Sequence, residues 1–563
     1  MFQVYFLIIS FFFVLNLVIF IIYYVNKGGL RYLIYAFFFF SLFFLFNILL
    51  LFYCQIYFLD FSVVVTIGLR LGGFKLKFFV DLYSIFFVSV AMVVSNSIFM
   101  FALVYSVGES FDFTFLLLLI LFLIFMFLLV FSGNFIIMFF RWERVGILSF
   151  LLISWWFRRR EARIRSYQAV FYNRIRDLRM VLAIVISLVY LDNDSVVYID
   201  GHFSFLFLLV FVSIIAKSSQ FFFHPWLPNA MERPTPVSSL LHSSTMVVAR
   251  VYLMIRISPC ISNFYLVFVI RTLTSLFRRI CASFSFDFKK VVAYSTTSQL
   301  RFMLMSLRIR MYKFCLLYIL FHAFFKALIF MLSGLLIHRS DRLQDMRKIQ
   351  GVISSSSFSK FSLFISSITI IGFPFFCGFW VKDYIIDSLG FGFLRFFLFI
   401  LSMVAVILTS VYSVRLISFL WLSNFISFLK FLRMESLFVL GFKFVLLLFS
   451  IISAFFIFFL NPGEHLFLIF TVKLVPLFLM FIGAFIRFCM FLQVNSFFLF
   501  YMFFWNPLVH KITVFISGLF IRLAKWFDYV FIEFVRPFRF VKFLTILFLF
   551  YRGFGLYYYF IFI

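Results

Sequence analysis

The sequence predicts an all-α polytopic membrane protein, in which about fourteen to sixteen helices of roughly 20 apolar residues each cross the bilayer. Hydrophobic residues make up 66% of the 563-residue chain, whereas soluble domains are about half apolar. The apolar runs have no polar face, and backbone groups in lipid must be bonded within their own segment, which favours helices. The short alternating segments of a transmembrane β-barrel are absent from the sequence. The runs cover residues 4–24, 33–53, 113–140, 203–216, 396–408, 444–460 and 540–550.

The chain divides into four regions that differ in amino-acid composition. Residues 1–110 contain the N-terminal transmembrane helices and a short polar loop near LRLGGFKLKFFVDLYS, and their first span lacks the features of a removed signal peptide. Residues 111–420 hold almost all ionisable residues that are embedded in apolar sequence, so transport chemistry is expected there. Residues 421–500 are C-terminal transmembrane helices, and residues 501–563 form an amphipathic segment and a last span, at about 541–560.

The amphipathic segment is longer than a loop, and its polar residues recur at roughly helical spacing between apolar ones. This pattern predicts a long helix that lies on the membrane surface or along partner subunits. The polar residues are Lys511, Arg522, Lys525, Asp528 and Glu533.

Charge and cysteine content narrow the function classes. The chain has 49 basic and 20 acidic residues, a net charge of +29, which in so hydrophobic a protein indicates loop charges that set topology. Nucleic-acid binding is therefore not expected. The six cysteines show no CxxC spacing, so neither a metal site nor a disulfide framework is expected, and no phosphate loop or dinucleotide fingerprint is present. The cysteines are Cys54, Cys260, Cys281, Cys315, Cys377 and Cys489.

Two pieces of the middle region have a similar layout. AKSSQ (216–220) is followed by HPWLPNAMERPTPVSSLLHSSTM, and FHAFFKALIF is followed by GFPFFCGFWVKDYII. Each piece pairs a lysine-bearing span with a span that Pro or Gly interrupts. Broken helices in corresponding positions point to the ion sites of transporters that are built from repeats. We therefore predict two discontinuous helices and an internal repeat.

Ionisable residues in apolar sequence are the candidate site, because a charge at the bilayer centre costs roughly 2.5–3.5 kcal/mol on insertion scales. Lys326 has apolar sequence on both sides, which makes snorkelling to the headgroups difficult, whereas Lys217 could snorkel from a helix end. Lys382 and Asp383 could instead be an interfacial ion pair. Glu143 lies between apolar runs, and so does Asp177, whose alternative is a loop residue paired with Arg174.

The pattern favours a chain of proton sites. Burial disfavours a charged lysine and a nearby carboxylate favours it, so Lys217 opposite Glu143 would have a switchable proton affinity. His322 and Lys326 are four residues apart and share one helix face. His242 follows Lys217 by 25 residues. A lone membrane histidine is usually a packing residue, but two beside lysine sites favour a relay, since imidazole titrates near neutral pH.

Several stretches resemble one family. They are WERVGILSFLLISWWF, NRIRDLR, AKSSQFFFHPWLPNAMERPTPVSSLLHSSTMVVARVYL, FDFKKVVAYSTTSQL, FHAFFKALIFMLSG, QDMRK and GFPFFCGFWVKDYI. The chain is similar over about 81–420 to the mitochondrial-type antiporter-like subunits of NADH:ubiquinone oxidoreductase (respiratory complex I), which are related to Mrp sodium/proton antiporters. The chain 5 group fits best, since its members carry a long lateral helix near the C-terminus. The chain 4 group is the alternative, although it typically has Glu where Lys382 stands and lacks the lateral helix.

The resemblance implies roles for the candidate residues within 111–420, the antiporter-like proton-translocation core. Glu143 and Lys217 would be the coupling pair, and Asp177 would tune them toward the neighbouring subunit. The central relay and the output site complete the path. The relay would be His242, His322 and Lys326, and the output site would be Lys382 with Asp383. The family has a further histidine where this chain has Tyr318, which leaves the histidine chain incomplete.

The resemblance implies a proton-translocating subunit in the mitochondrial inner membrane, with no cofactor in this chain. NADH, FMN, iron–sulfur clusters and ubiquinone would be bound elsewhere in the complex. The implied partners are the antiporter-like chains 4 and 2, accessory subunits and membrane lipids such as cardiolipin. A stand-alone Mrp-like cation/proton antiporter is one alternative, and a purely structural membrane subunit is another.

One departure from the family is systematic: arginine occupies ten positions where the family usually has glycine. Glycine allows close helix approach, and arginine cannot fill that role. Our hypothesis is that some glycine codons are written as arginine, through codon reassignment or transcript editing. The alternative is genuine arginines compensated by acidic partner subunits. The positions are Arg141, Arg144, Arg176, Arg179, Arg233, Arg250, Arg271, Arg279, Arg301 and Arg308.

Overall fold

The structure is a computed structural model, and most of the described residues lie between 62 and 489. The predicted spans at 4–24, 33–53 and 540–550, and Lys217, lie outside the described residues. A few positions within the ranges that follow are also excluded. The described residues are 62–71, 74–105, 112–156, 160–191, 226–257, 265–308, 311–347, 357–387, 393–421, 437–460 and 470–489, with Ser213 and six residues between 515 and 525.

The chain divides into two compact units, Met1–Asn495 and Ser496–Ile563. In the first unit, two strands precede a series of helices. The strands are β1 (Ser62–Leu71) and β2 (Phe74–Asp81). The first helices are α1 (Leu82–Tyr105), α2 (Asp112–Val130), α3 (Phe135–Ile153), α4 (Arg160–Leu191), α5 (Trp226–Asn229), α6 (Thr235–Ser239) and α7 (Val248–Ile257). The later helices are α8 (Tyr265–Phe284), α9 (Phe288–Arg308), α10 (Tyr312–Arg339), α11 (Ser357–Ile371), α12 (Cys377–Asp387), α13 (Phe393–Trp421), α14 (Leu437–Leu460) and α15 (Phe470–Cys489).

The apolar helices confirm a multi-pass membrane protein. Among the described residues, three helical stretches are long and apolar enough to cross a bilayer: Tyr83–Tyr105, Tyr312–Arg339 and Phe399–Ser418. Helix α10 is the central one, because α1, α6, α9, α11 and α14 all pack against it. Nearly every residue of α10 from Phe314 to Ile337 is therefore buried.

The all-α prediction is wrong for the polar loop before α1. Strands β1 and β2 pair antiparallel there, with Ser62 opposite Asp81 and Val65 opposite Phe78. The β-branched residues of SVVVTIGLRL favour a strand, and the pairing satisfies backbone groups outside a helix. Asp81 then caps α1, because its Oδ1 accepts a 2.9 Å hydrogen bond from the backbone N–H of Ser84.

The apolar run 113–140 is two helices instead of one span. Helix α2 ends at Val130 and α3 begins at Phe135. The residues between them bind the β-ribbon: the N–H of Phe79 donates to Phe131 O, and the N–H of Gly133 donates to Lys77 O, both at 2.9 Å. The backbone of this break is thus satisfied without a continuous helix.

Two places in the core depart from regular α-helix. Helix α6 continues into a π-helical segment, Leu240–Ser244, which is followed by α7. Helix α11 ends at Ile371, where Gly372 has a φ of 89°, and α12 begins at Cys377. A positive φ favours glycine at a helix C-terminus.

The second unit is described only in part. Its six described residues are all helical, and five of them are exposed. The amphipathic helix and the last span of 501–563 therefore stay predictions. The six residues are Phe515, Gly518, Leu519, Arg522, Leu523 and Lys525.

Candidate functional site

The middle of α10 carries two fully buried ionisable residues. Lys326 lies fourteen residues from the first residue of α10 and thirteen from the last, which corresponds to about 20 Å of helix on each side. His322 lies one turn earlier on the same face, and both side chains are 0% exposed. Snorkelling cannot explain Lys326, since a lysine side chain is far shorter than that distance.

Helix α9 supplies the oxygen that Lys326 binds. The Lys326 Nζ donates a 2.6 Å hydrogen bond to Ser295 Oγ. Ser295 Oγ itself donates to the carbonyl of Val292, at 2.7 Å, so its lone pair is directed to the ammonium group. Helices α9 and α10 pack against each other and run antiparallel, because Lys326 binds Ser295 whereas Cys315, near the start of α10, binds the carbonyl of Met303 further along α9.

The two candidate histidines both lie where α10 packs on the π-helical segment. The ring of His322 lies beside the backbone of Ser243 and edge-on to Phe325, with 5.4 Å between the ring centroids. Neither ring nitrogen makes a well-formed hydrogen bond within the described part of the chain. His242 lies in the same segment and is also fully buried. The structure therefore brings both histidines to one region of the core.

A buried arginine contacts His242. The guanidinium of Arg233, 1% exposed, is hydrogen-bonded to His242 Nε2. A guanidinium can only donate, so His242 Nε2 is the acceptor in this contact. Lys289 Nζ donates to the carbonyl of Arg233 at 3.1 Å.

Lys382 binds the end of the broken helix. Its side chain is 3% exposed, and its Nζ donates to the carbonyls of Ile370 and Ile371, the latter at 3.1 Å. The last carbonyls of a helix lack intrahelical partners and attract cations. Lys382 therefore occupies the C-terminus of α11, and Asp383 lies within electrostatic range of it. The two are not an exposed surface pair, since Asp383 is 7% exposed.

The acidic candidates lie on α3 and α4. Glu143 Oε1 accepts a 2.7 Å hydrogen bond from Arg174, which is its ion-pair partner among the described residues. The proposed partner Lys217 is outside those residues, so the Glu143–Lys217 pair stays a prediction. Asp177 lies inside α4 and is 7% exposed, which rules out its reading as a loop residue.

The two buried lysines of the candidate site are close enough to influence each other's charge. Lys326 and Lys382 lie within electrostatic range of each other. A buried hydrogen-bonded group stands beside them: Tyr318 donates to Gln299 Oε1, and Gln299 Nε2 donates to Tyr412, 3.3 Å away. The sequence reading missed Ser295, Gln299 and Tyr412. Serine, glutamine and tyrosine in an apolar helix carry no charge, so only the partners reveal them.

A further lysine was also missed. Lys443 on α14 is 0% exposed, and its Nζ donates to Ser359 Oγ at 2.7 Å. Its apolar surroundings, LFVLGFKFVLLLF, were a usable signal of the kind that identified Lys326. Within the described part of the chain, no group of three or more His, Cys, Asp or Glu could hold a metal ion.

Known proteins resemble the chain in sequence and in fold. Residues 132–411, about half of the chain, match the family model described as NADH:quinone oxidoreductase/Mrp antiporter, TM. The chain is 41% identical over 351 residues to NADH-ubiquinone oxidoreductase chain 5 of Pongo abelii, covering 61% of this chain and 58% of that one. It is 41% identical over 359 residues to the protein of the same name from Branchiostoma lanceolatum, covering 62% and 60%. The chain thus spans about three fifths of the length of these curated relatives.

The fold has a solved counterpart. A chain in the structure of the Mrp complex from Dietzia sp. DQ12-45-1b superimposes with a TM-score of 0.71, over 83% of this chain and 56% of that chain. The sequence identity is 20%, so the similarity concerns the fold alone.

Proposed function

We propose that the chain is a member of the NADH:quinone oxidoreductase/Mrp antiporter family, and that it is a proton-translocating membrane-arm subunit of respiratory complex I, of the chain 5 type. In this proposal the chain forms part of an NADH:ubiquinone reductase. NADH, FMN, iron–sulfur clusters and ubiquinone are bound by other subunits, and this chain holds no redox cofactor. Its contribution is to carry protons through the bilayer while the redox chemistry proceeds elsewhere.

The observation that carries the proposal is the complete burial of Lys326 in the middle of a membrane-spanning helix. A lysine there is costly, and proteins retain such residues at ion and proton pathways. Lys326 has a hydroxyl partner instead of a carboxylate, and a second buried lysine, Lys382, lies within electrostatic range. Two nearby cations disfavour each other's charge, so a proton on one site weakens proton binding at the other.

The proposed path begins at Glu143 and Lys217. A proton entering near this pair passes to the region of His242, His322 and Lys326, and then to Lys382 with Asp383. Asp177 tunes the entry pair from α4. Arg174 is the competing partner of Glu143, so release of Glu143 from Arg174 is the step that frees it for Lys217.

The irregular backbone supports the same path. We infer that α11 and α12 are the halves of one discontinuous helix, and that α6, the π-helical segment and α7 belong to the other. Freed carbonyls at such breaks bind cations, as the Ile370 and Ile371 carbonyls bind Lys382. The segment 501–563 is the lateral amphipathic helix with its final span.

The proposal places the chain in the mitochondrial inner membrane. Its partners are the antiporter-like chains 4 and 2 and accessory subunits, and anionic lipids such as cardiolipin contact its basic loops. Arg347 illustrates the loop charge: it lies beyond the end of α10, and its hydrogen bonds to Asp345 raise its pKa.

Replacement of Lys326 tests the proposal. In the assembled complex in liposomes, Lys326→Ala is expected to abolish the proton transport of this subunit, because the central proton site is removed. The measurement is the number of protons pumped per NADH oxidised. The matched control is Lys313→Ala, since Lys313 is on the same helix but exposed.

Two outcomes would contradict the proposal. An unchanged proton-to-electron ratio in Lys326→Ala would favour a purely structural subunit. Isolation of the chain in mild detergent without an NADH-oxidising assembly, together with sodium-dependent proton exchange, would favour a stand-alone Mrp-like antiporter.

A further inference from the structure

A buried bridge of three uncharged side chains joins three helices of the core. It consists of Tyr318 on α10, Gln299 on α9 and Tyr412 on α13. Tyr318 donates to Gln299 Oε1, and Gln299 Nε2 donates to the Tyr412 hydroxyl at 3.3 Å. All three side chains are 0% exposed. We call this set the tyrosine bridge.

The tyrosine bridge lies near both lysine sites. Tyr318 is two helical turns from Lys326 on α10, with His322 midway, so the three side chains follow one face. Gln299 is one turn from Ser295, the partner of Lys326. On the other side, Tyr318 lies within electrostatic range of Cys377 at the start of α12, and Cys377 lies within range of Lys382.

Packing alone does not account for the bridge. Serine and threonine hydroxyls of α9 bond to carbonyls three residues earlier in their own helix, as Ser295, Thr296 and Thr297 do. Tyrosine hydroxyls cannot reach their own backbone, and a buried hydroxyl without a partner is destabilising. Phenylalanine, which fills 104 positions of this chain, would occupy the same space without needing Gln299. The hydroxyls therefore require an explanation other than volume.

We propose that the hydroxyls of Tyr318 and Tyr412 carry protons between the Lys326 site and the Lys382 site, and that Gln299 is a positioning residue which holds them. The inference rests on the proposed proton-translocating function. When a proton binds the Tyr318 oxygen, the hydroxyl turns from Gln299 and releases its own proton to a water molecule, which passes a proton to the Tyr412 oxygen. Tyr412 then releases its own proton toward Lys382, so both tyrosines and the water end neutral and the Gln299 amide is unchanged. Tyr412 also meets the side chain of Ser298, which offers a further hydroxyl.

The test compares Tyr318→Phe, Tyr412→Phe and Tyr318→His in the assembled complex. Each Phe variant is expected to lower protons pumped per NADH oxidised, and the double variant is expected to match Lys326→Ala. Tyr318→His is expected to pump more protons per NADH oxidised than Tyr318→Phe, because imidazole both accepts and donates a proton. If Tyr318 served only for packing, the smaller imidazole ring would not pump better than phenylalanine. Tyr294→Phe is the control: Tyr294 is buried on α9 with its ring face toward Arg278, a contact that phenylalanine keeps.

The outcomes separate this inference from the proposed function. Loss of pumping in Lys326→Ala with normal pumping in both Phe variants would overturn the inference alone. Normal pumping in Lys326→Ala would overturn the proposed function. If Tyr318→Phe fails to assemble, Tyr412→Phe on a different helix decides, and normal pumping in that variant would contradict the bridge.

Discussion

Three buried lysines of the core each donate a hydrogen bond to an uncharged oxygen. Lys326 binds a serine hydroxyl, Lys443 binds another, and Lys382 binds two carbonyls at a helix end. Such hydrogen bonds offset the desolvation of the ammonium group, and none of them places a carboxylate in direct contact with it. A neutral lysine is therefore accessible at these positions at a lower cost than in a lysine–carboxylate pair.

Arg279 does not follow this rule. Its side chain is 0% exposed, and its guanidinium stacks on Phe302, with 4.5 Å from Cζ to the ring centroid. None of its three guanidinium nitrogens has a hydrogen-bond acceptor among the residues that the structure describes. An unsatisfied buried donor costs roughly 1–3 kcal/mol, and more when charged. The position is one of the ten to which the recoding hypothesis applies.

We therefore expect glycine at position 279 of the mature protein. Trypsin cleaves after Arg278, so glycine at 279 would give a peptide of residues 279–289 that begins Gly-Ile-Cys. Arginine would instead give a peptide of residues 280–289 that begins Ile-Cys. Mass spectrometry of the purified chain distinguishes the two.

Finding the 280–289 peptide alone would show that Arg279 is genuine, and the recoding hypothesis would fail at this site. The peptide masses over residues 171–180, which include Arg176 and Arg179, test the same hypothesis independently. The result also bears on His242, since glycine at 233 would remove the guanidinium that occupies its Nε2.

At the residue scale, sequence reasoning can find charged groups but cannot find their partners. Lys326 stands out because it interrupts a long apolar run. Ser295 does not, because most buried serines here bond only to their own helix, as Ser333 does. Pairing between α9 and α10 is a tertiary fact, so the acceptor of Lys326 becomes visible only in the folded chain.

At the element scale, the break between α11 and α12 depends on a close approach. A Cβ at Gly378 would lie 2.1 Å from the carbonyl oxygen of Thr369, a backbone atom that cannot give way cheaply. Gly378 therefore lets the start of α12 pack against the end of α11, where Lys382 binds the free carbonyls. The position of Lys382 at the end of α11 follows from this contact.

Gly378→Ala is expected to destabilise this region by at least the roughly 1–3 kcal/mol that overpacking costs, and to displace Lys382. Assembly on native gels and the temperature of thermal inactivation measure the effect. Gly441→Ala is the matched control, because a Cβ there meets nothing within 4 Å. Equal stability of the two variants would contradict the close packing of α11 and α12.

Element boundaries were predictable only where composition changes. The apolar run at 113–140 gives no sign that it stops at Val130, because its break is stabilised by the distant β-ribbon through Lys77 and Phe79. The ribbon itself was unexpected, since β-branched residues are equally common in apolar spans. In contrast, the Gly-Phe-Pro sequence at 372–374 predicts the interruption before Lys382 directly.

At the scale of the whole molecule, the ionisable groups converge on the helices around α10. His242, His322, Lys326 and Lys382 come from segments that are up to 140 residues apart, and the fold buries all four. The central claim is that these groups, with Lys217, form a hydrated path for protons through the middle of the bilayer. Structural stability alone would favour apolar residues at these positions.

A density map of the assembled complex in a lipid nanodisc, at a resolution that shows ordered water, tests this claim most directly. We predict water molecules that connect Lys217 to the region of His322 and Lys326, and onward past Tyr318 and Tyr412 to Lys382. Lysines that point into the headgroup region, or dry side-chain packing between the sites, would contradict the account.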